Sequence, residues 1–156
     1  MNKLVVKTFH GLEGVLAKEL ESLGAKDIHL LKRAVSFNGS KELLYKSNLH
    51  LRTALKIMQP IYTFSAHNEI ELYKKVGDFD WSDYLKLDQT FSIDSVVFSD
   101  YFKHSKYVVL KIKDAIVDQF REKTGKRPSI DTETPDIRFN IHVFHENFTI
   151  SLDSSG

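Results

Sequence analysis

The 156-residue sequence contains no cysteine, which excludes a disulfide framework and a thiolate metal site and fits a cytoplasmic protein. Proline is scarce and scattered, with single residues at 60, 128 and 135, so no proline-rich linker or low-complexity tract interrupts the chain. No apolar stretch approaches the roughly 18 to 20 residues of a membrane span. Met1-Asn2-Lys3 leads directly into Leu4-Val5-Val6, without the longer apolar region and small-residue cleavage site of a secretory signal. Also missing are a Gly-x-Gly cofactor fingerprint, a Walker loop and a Gly-x-Ser-x-Gly elbow. His142 and His145 lie three apart in expected β structure, where their side chains tend to opposite faces, a poor metal pair. Asp78 and Asp80 belong to a turn, where aspartate serves local backbone bonding. The sequence therefore offers no catalytic residue, metal site or cofactor site.

A global excess of positive charge is lacking too. The formal net charge is only +1, so any polyanion site has to be local. One segment supplies it. Between Ser99 and Pro128, Lys103, Lys106, Lys111, Lys113, Arg121, Lys123, Lys126 and Arg127 outnumber Asp100, Asp114, Asp118 and Glu122 by four.

What is present is the composition of a globular protein, 42% hydrophobic and 28% charged. Lys3 to Phe9 reads as a strand. Leu12, Leu16, Leu20 and Leu23 share one helical face that Gly24 terminates. Asp27 to Lys32 and Ala34 to Phe37 read as strands, Ser40 as the N-cap of a helix carrying Leu43, Leu44 and Leu49, and Thr53 to Phe64 as a further extended run. This β-α-β-β-α-β order is the split βαβ pattern of ferredoxin-like domains. The pattern then restarts, with a helix over Glu69 to Val76, a turn-rich stretch to Trp81 and a strand from Thr90 to Phe98. A long helix follows from about Lys106 to Lys123, with Val109, Ile112, Ile116 and Phe120 as its apolar stripe, and Gly125 stops it. Ile137 to Phe144 and Phe148 to Leu152 form a hairpin around His145-Glu146-Asn147. The expected fold class is mixed α/β, of the α+β type, with domains at residues 1–64 and 65–156.

On the long helix, a rotation of about 100° per residue puts Lys106 and Lys113 together on one flank, with Lys103 near the first turn. Lysines along one edge can meet successive phosphates, each contact releasing counterions. The alternative is a solvated face paired with Asp114 and Asp118. The turn Gly125-Lys126-Arg127-Pro128 presents two more cations, either to an RNA backbone or simply to the helix dipole. Tyr101, Phe102 and Tyr107 interleave with these cations, as stacking on unpaired bases requires, though Phe102 also suits the core. Arg52 and Lys56, on one face of the last strand of the first unit, either extend a basic surface or form an ordinary charged edge.

The block Tyr107-Val108-Val109-Leu110-Lys111-Ile112-Lys113-Asp114-Ala115-Ile116-Val117-Asp118-Gln119-Phe120-Arg121, with Gly125-Lys126-Arg127-Pro128-Ser129-Ile130-Asp131 and Pro135-Asp136-Ile137-Arg138, resembles the THUMP domain of bacterial ribosomal RNA guanine N2-methyltransferases. Gly11-Leu12-Glu13 and Asn48-Leu49-His50-Leu51-Arg52-Thr53-Ala54 agree in the first unit. The resemblance implies a ferredoxin-like unit followed by a THUMP unit that holds structured RNA, ribosomal in the first place and transfer RNA in the second. It also implies an attached S-adenosylmethionine-dependent methyltransferase domain, absent here, so that this fragment binds no cofactor. Ending at Ser154-Ser155-Gly156 then reads as a truncation. Under the resemblance the RNA-binding residues are Lys103, Lys106, Tyr107, Lys111, Lys113, Lys126 and Arg127, with Arg52 and Lys56 behind them.

Two rivals stand beside this reading. One is a THUMP module of a transfer RNA-modifying system, either a thiolation enzyme or a binding adaptor. The other is a small enzyme resembling acylphosphatase, which shares the ferredoxin-like topology. That chemistry needs a phosphate-cradling Gly/Arg loop, whereas Thr8-Phe9-His10-Gly11-Leu12-Glu13 lacks arginine and opens its helix with an acid.

Overall fold

The structure is a computed structural model that describes residues 2–40, 42, 43, 46 and 54–153. It is a mixed α/β protein that divides into two compact units, a first running to Pro60, which Asp153 rejoins, and a second, Ile61–Leu152.

In the first unit β1 (Asn2–Thr8), α1 (Glu13–Ser22), β2 (Lys26–Leu31) and β3 (Ala34–Gly39) lead to β4 (Ala54–Ser65). The strand order is β2-β3-β1-β4, every neighbour antiparallel, as the split βαβ pattern requires. Alternation along β1 sends Leu4 and Val6 to the core, where they meet Leu16 and Leu20 of α1 and Val35 and Phe37 of β3. Gly24 at φ 95° ends α1 in a Schellman motif: its N–H bonds Glu21 O at 3.0 Å and that of Ala25 bonds Leu20 O at 3.1 Å. Ser40 Oγ accepts the Leu43 N–H at 3.2 Å, the contact of an N-cap, and Glu42, Leu43 and Lys46 are helical. Leu44, Leu49, Thr53 and Arg52 lie outside the described residues.

The second unit takes the end of β4, then α2 (Glu69–Gly77), a 3₁₀ turn at Trp81–Asp83, β5 (Thr90–Phe98), α3 (Ser105–Thr124), β6 (Ser129–Ile130), β7 (Ile137–Phe144) and β8 (Asn147–Asp153). Its strand order is β4-β8-β7-β5-β6, with β5 parallel to both β6 and β7 and β8 antiparallel to β7. Parallel partners need a crossover, and α3 provides it. The β7–β8 hairpin turns on His145 and Glu146 alone, since Asn147 already pairs with Phe144. The strand β6 escapes sequence patterning because two residues carry no periodicity.

The stripe expected on the long helix is rotated. Val108, Ile112, Ala115, Ile116, Val117, Gln119 and Phe120 are buried, and Val109 only half so. The cause is Gln119, a polar residue on the buried face that a hydrophobic count skips. Its amide accepts the Trp81 N–H at 3.0 Å and donates to Gly77 O at 2.9 Å and to Phe79 O. The Trp81 indole N–H in turn donates to Val76 O at 2.8 Å. One side chain of α3 thereby satisfies the turn that follows α2, as buried backbone groups require.

A candidate nucleic-acid interface at the start of the long helix

The two main helices of the second unit begin in opposite ways. The start of α2 is capped: Asn68 Oδ1 accepts the Glu71 N–H at 2.9 Å, Glu71 reaches back to the His67 N–H at 3.0 Å, and Glu69 and Glu71 supply the acids that a helix N-terminus favours. The start of α3 has none of this. Its N-cap, His104, makes no side-chain cap bond, and its first turn has no acid. The Tyr107 and Val108 N–H groups bond back to His104 O, while among the described residues those of Ser105 and Lys106 have no partner. Lys103 and Lys106 add two cations to the positive end of the helix dipole, where cations are disfavoured by about 0.3–1 kcal/mol each. Backbone donors and cations converging on one spot match an anion.

Around this terminus Tyr101 is 51% exposed and Tyr107 40%, so both rings are available for stacking. Phe102, by contrast, is in the core at 5%. Tyr101, Lys103, His104 and Tyr107 border a depression of about 230 Å³, and Lys106, Tyr107 and Leu110 border another of about 470 Å³, with Glu69 at the rim of both. Lys103 and Lys106 are exposed and carry no ion pair among the described residues.

Of the other expected residues of the second unit, Lys113, Lys126 and Arg127 do not join this spot. Lys113 lies on the Lys106 flank, but its ammonium sits 3.3 Å from Asp114. The flank closes one turn further on, at buried Val117. Lys111 is rotated about 140° from Lys106 and stands over the Tyr107 ring at 5.7 Å, within cation–π range. Lys126 and Arg127 are exposed at the far end of α3, roughly 30 Å away for a helix of this length. There Gly125 turns the chain at φ 78° and Thr124 Oγ1 holds the Lys126 N–H at 3.2 Å. Lys56 belongs to the first unit, 3.9 Å from Asp153, and Arg52 is outside the described residues. The signal that sequence reasoning missed is the absence of an acid or a cap at residues 104–107.

The helix is held to α2 by the Tyr73 hydroxyl, which donates to Asp118. That bond, with partial burial, pushes the Tyr73 pKa up to about 12. A tyrosine raised above its unfolded value of about 10 stabilises the fold below pH 10 and loses that contribution as pH climbs toward 12. The difference in melting temperature between wild type and Tyr73→Phe is therefore expected to be constant at neutral pH and to narrow from about pH 10 upward, which thermal melts in a pH series would measure.

Two sheet-and-helix units in this order define a ferredoxin-like domain followed by a second α/β domain whose long helix opens on a basic, aromatic-lined terminus. The chain belongs to the THUMP family: residues 66–153 match the THUMP domain, and residues 3–58 match the RlmL ferredoxin-like domain. It is 40% identical over 146 residues to the ribosomal RNA large subunit methyltransferase K/L of Syntrophotalea carbinolica, covering 94% of this chain and 20% of that protein. The chain thus spans about one fifth of that relative's length. A crystal structure of a predicted N6-adenine-specific DNA methylase from Listeria monocytogenes superposes with a TM-score of 0.83 at 25% identity, over 97% of this chain and 40% of the other. A protein described as a methyltransferase and complexed with SAH matches at 0.83 and 28%, over 97% and 41%.

Proposed function

We propose that this chain is the RNA-gripping region of an S-adenosylmethionine-dependent RNA methyltransferase of the cytoplasm, with residues 1–64 and 65–156 as its modules. The relative at 40% identity, named for large-subunit ribosomal RNA, supports that RNA as the substrate, and guanine N2 as the methylated atom follows from the resemblance of the THUMP block. In this reading the fragment binds and orients RNA, while methyl transfer and cofactor binding belong to the remaining length of the full protein. The observation that carries the proposal is the bare start of α3, where N–H groups without a partner among the described residues, Lys103 and Lys106 meet beside two exposed tyrosines. A phosphate there is held by backbone donors and two ammonium groups, and an adjacent unpaired base stacks on Tyr107 or Tyr101. Lys126 and Arg127 contact the same RNA a helix length away.

The test is a binding titration of structured ribosomal RNA fragments and a transfer RNA over a range of salt. Three phosphate contacts imply a slope of log affinity against log salt of roughly −2 to −3. Salt-independent binding, or none, contradicts the proposal.

A further inference from the structure

The first unit carries a second group of cations that its sequence does not bring together. With Leu4 and Val6 in the core, alternation places Lys3, Val5 and Lys7 on the opposite face of β1, away from α1. In the antiparallel register Lys7 stands directly across from Lys56 of β4. Side chains in that relation lie about 4.5–5.5 Å apart at Cβ, and two like charges there destabilise the sheet. Asp153 lies 3.9 Å from the Lys56 ammonium. Lys7 has no such relief: it is half-buried and carries no ion pair among the described residues. Its burial, and then the charge of Lys56, hold its pKa below the ordinary lysine value. On the same face Lys3, with Ser36 and Asn38, borders a depression of about 330 Å³, where Asp27 is engaged by the Asn38 amide at 2.7 Å.

A half-buried ammonium facing a second ammonium is relieved by an anion that lies between them. The spacing decides which anion. Lys3 and Lys7 are about 13 Å apart along the strand, too far for one phosphate to touch both, whereas a chain of phosphates meets each in turn. We propose that Lys7, Lys56 and Lys3 form a phosphate-contacting surface on the first unit's sheet that takes the backbone of the RNA bound by this chain. The proposal rests on the RNA-binding reading above and extends it to a unit that reading leaves without a defined contact.

The experiment titrates the 156-residue chain with structured RNA between 50 and 200 mM salt, a fourfold change that weakens binding roughly threefold per phosphate contact. In Lys7→Gln this salt-induced loss is expected to shrink by roughly threefold, with a slope shallower by about 0.7 to 0.9. Lys7→Arg is expected to restore it. The melting temperature of Lys7→Gln should stay level or rise, because the variant removes a like-charge contact. Inorganic phosphate at millimolar concentration serves as the competing arm, and its displacement of RNA from wild type but not from Lys7→Gln would overturn the polyanion assignment. An unchanged slope in Lys7→Gln, while Lys106→Glu loses affinity, overturns this proposal alone. Absence of salt-dependent RNA binding by the wild-type chain overturns both.

Discussion

Replacing Lys103 and Lys106 together by glutamate is expected to flatten the salt dependence of RNA binding by about 0.7 to 0.9 in log–log slope, the loss of the phosphate contact that the two share. Affinity at low salt should fall further than neutral replacements would cause, since two carboxylates would then face the approaching backbone. The fold responds in the opposite sense. Acids at a helix start interact favourably with its dipole, by about 0.3–1 kcal/mol each, so the double variant should melt at or above the wild-type temperature. Lost binding together with retained or improved stability separates a binding role from a structural one. Lys113→Glu makes a useful contrast, because Lys113 is already engaged with Asp114 at 3.3 Å and its reversal should change the slope less. If both variants bind as wild type does, α3 is an ordinary solvated helix.

The largest stability effect is expected at Gln119. Replacing it by methionine keeps the volume but leaves the Trp81 N–H and the carbonyls of Gly77 and Phe79 without their partner. Buried polar groups stripped of a bond cost about 1–3 kcal/mol each. Partial access of water to the turn reduces that total, so a loss of about 3 kcal/mol is expected for the variant. In a protein of this size that lowers the melting temperature by roughly 6–12 °C, measurable by calorimetry or circular dichroism. A shift below about 2 °C would mean that the turn finds other partners. RNA binding at the start of α3 should survive well below the melting temperature, since Gln119 lies in the other half of the helix.

Much of the fold is legible in the sequence because its elements announce themselves locally. Leucines at 12, 16, 20 and 23 and the glycine at 24 outline α1 and its Schellman end, and left-handed Gly125, whose N–H bonds Arg121 O, marks the end of α3. The phase of α3 is harder. A stripe counted on hydrophobic residues alone centres between Val109 and Phe120, whereas the buried face runs through Val108, Ile112, Ala115 and Gln119, and only the turn at Trp81 explains why a glutamine belongs there. The two-residue β6 depends on pairing with β5 and has no pattern of its own.

The candidate site was legible in composition and not in grouping. A local excess of four positive charges marks the segment that carries the candidate site, but charge counting cannot separate exposed Lys106 from Lys113 with its carboxylate neighbour. Nor can it see that Lys111 turns toward Tyr107 or that Lys126 and Arg127 occupy the opposite end of the helix. The Lys7–Lys56 pair is set by the register of β1 against β4, a contact between residues almost fifty positions apart that no local pattern encodes.

Docking of RNA on the bare first turn of α3 would be reported directly by the amide resonances of the isotopically labelled chain. On titration with a structured ribosomal RNA fragment, the Ser105 and Lys106 amides should shift most within the second unit, downfield as they acquire a phosphate acceptor, with Tyr107 following. Shifts confined to the opposite sheet face, where Val96, Phe98 and Phe144 are exposed, with Ser105 and Lys106 unmoved, would contradict it.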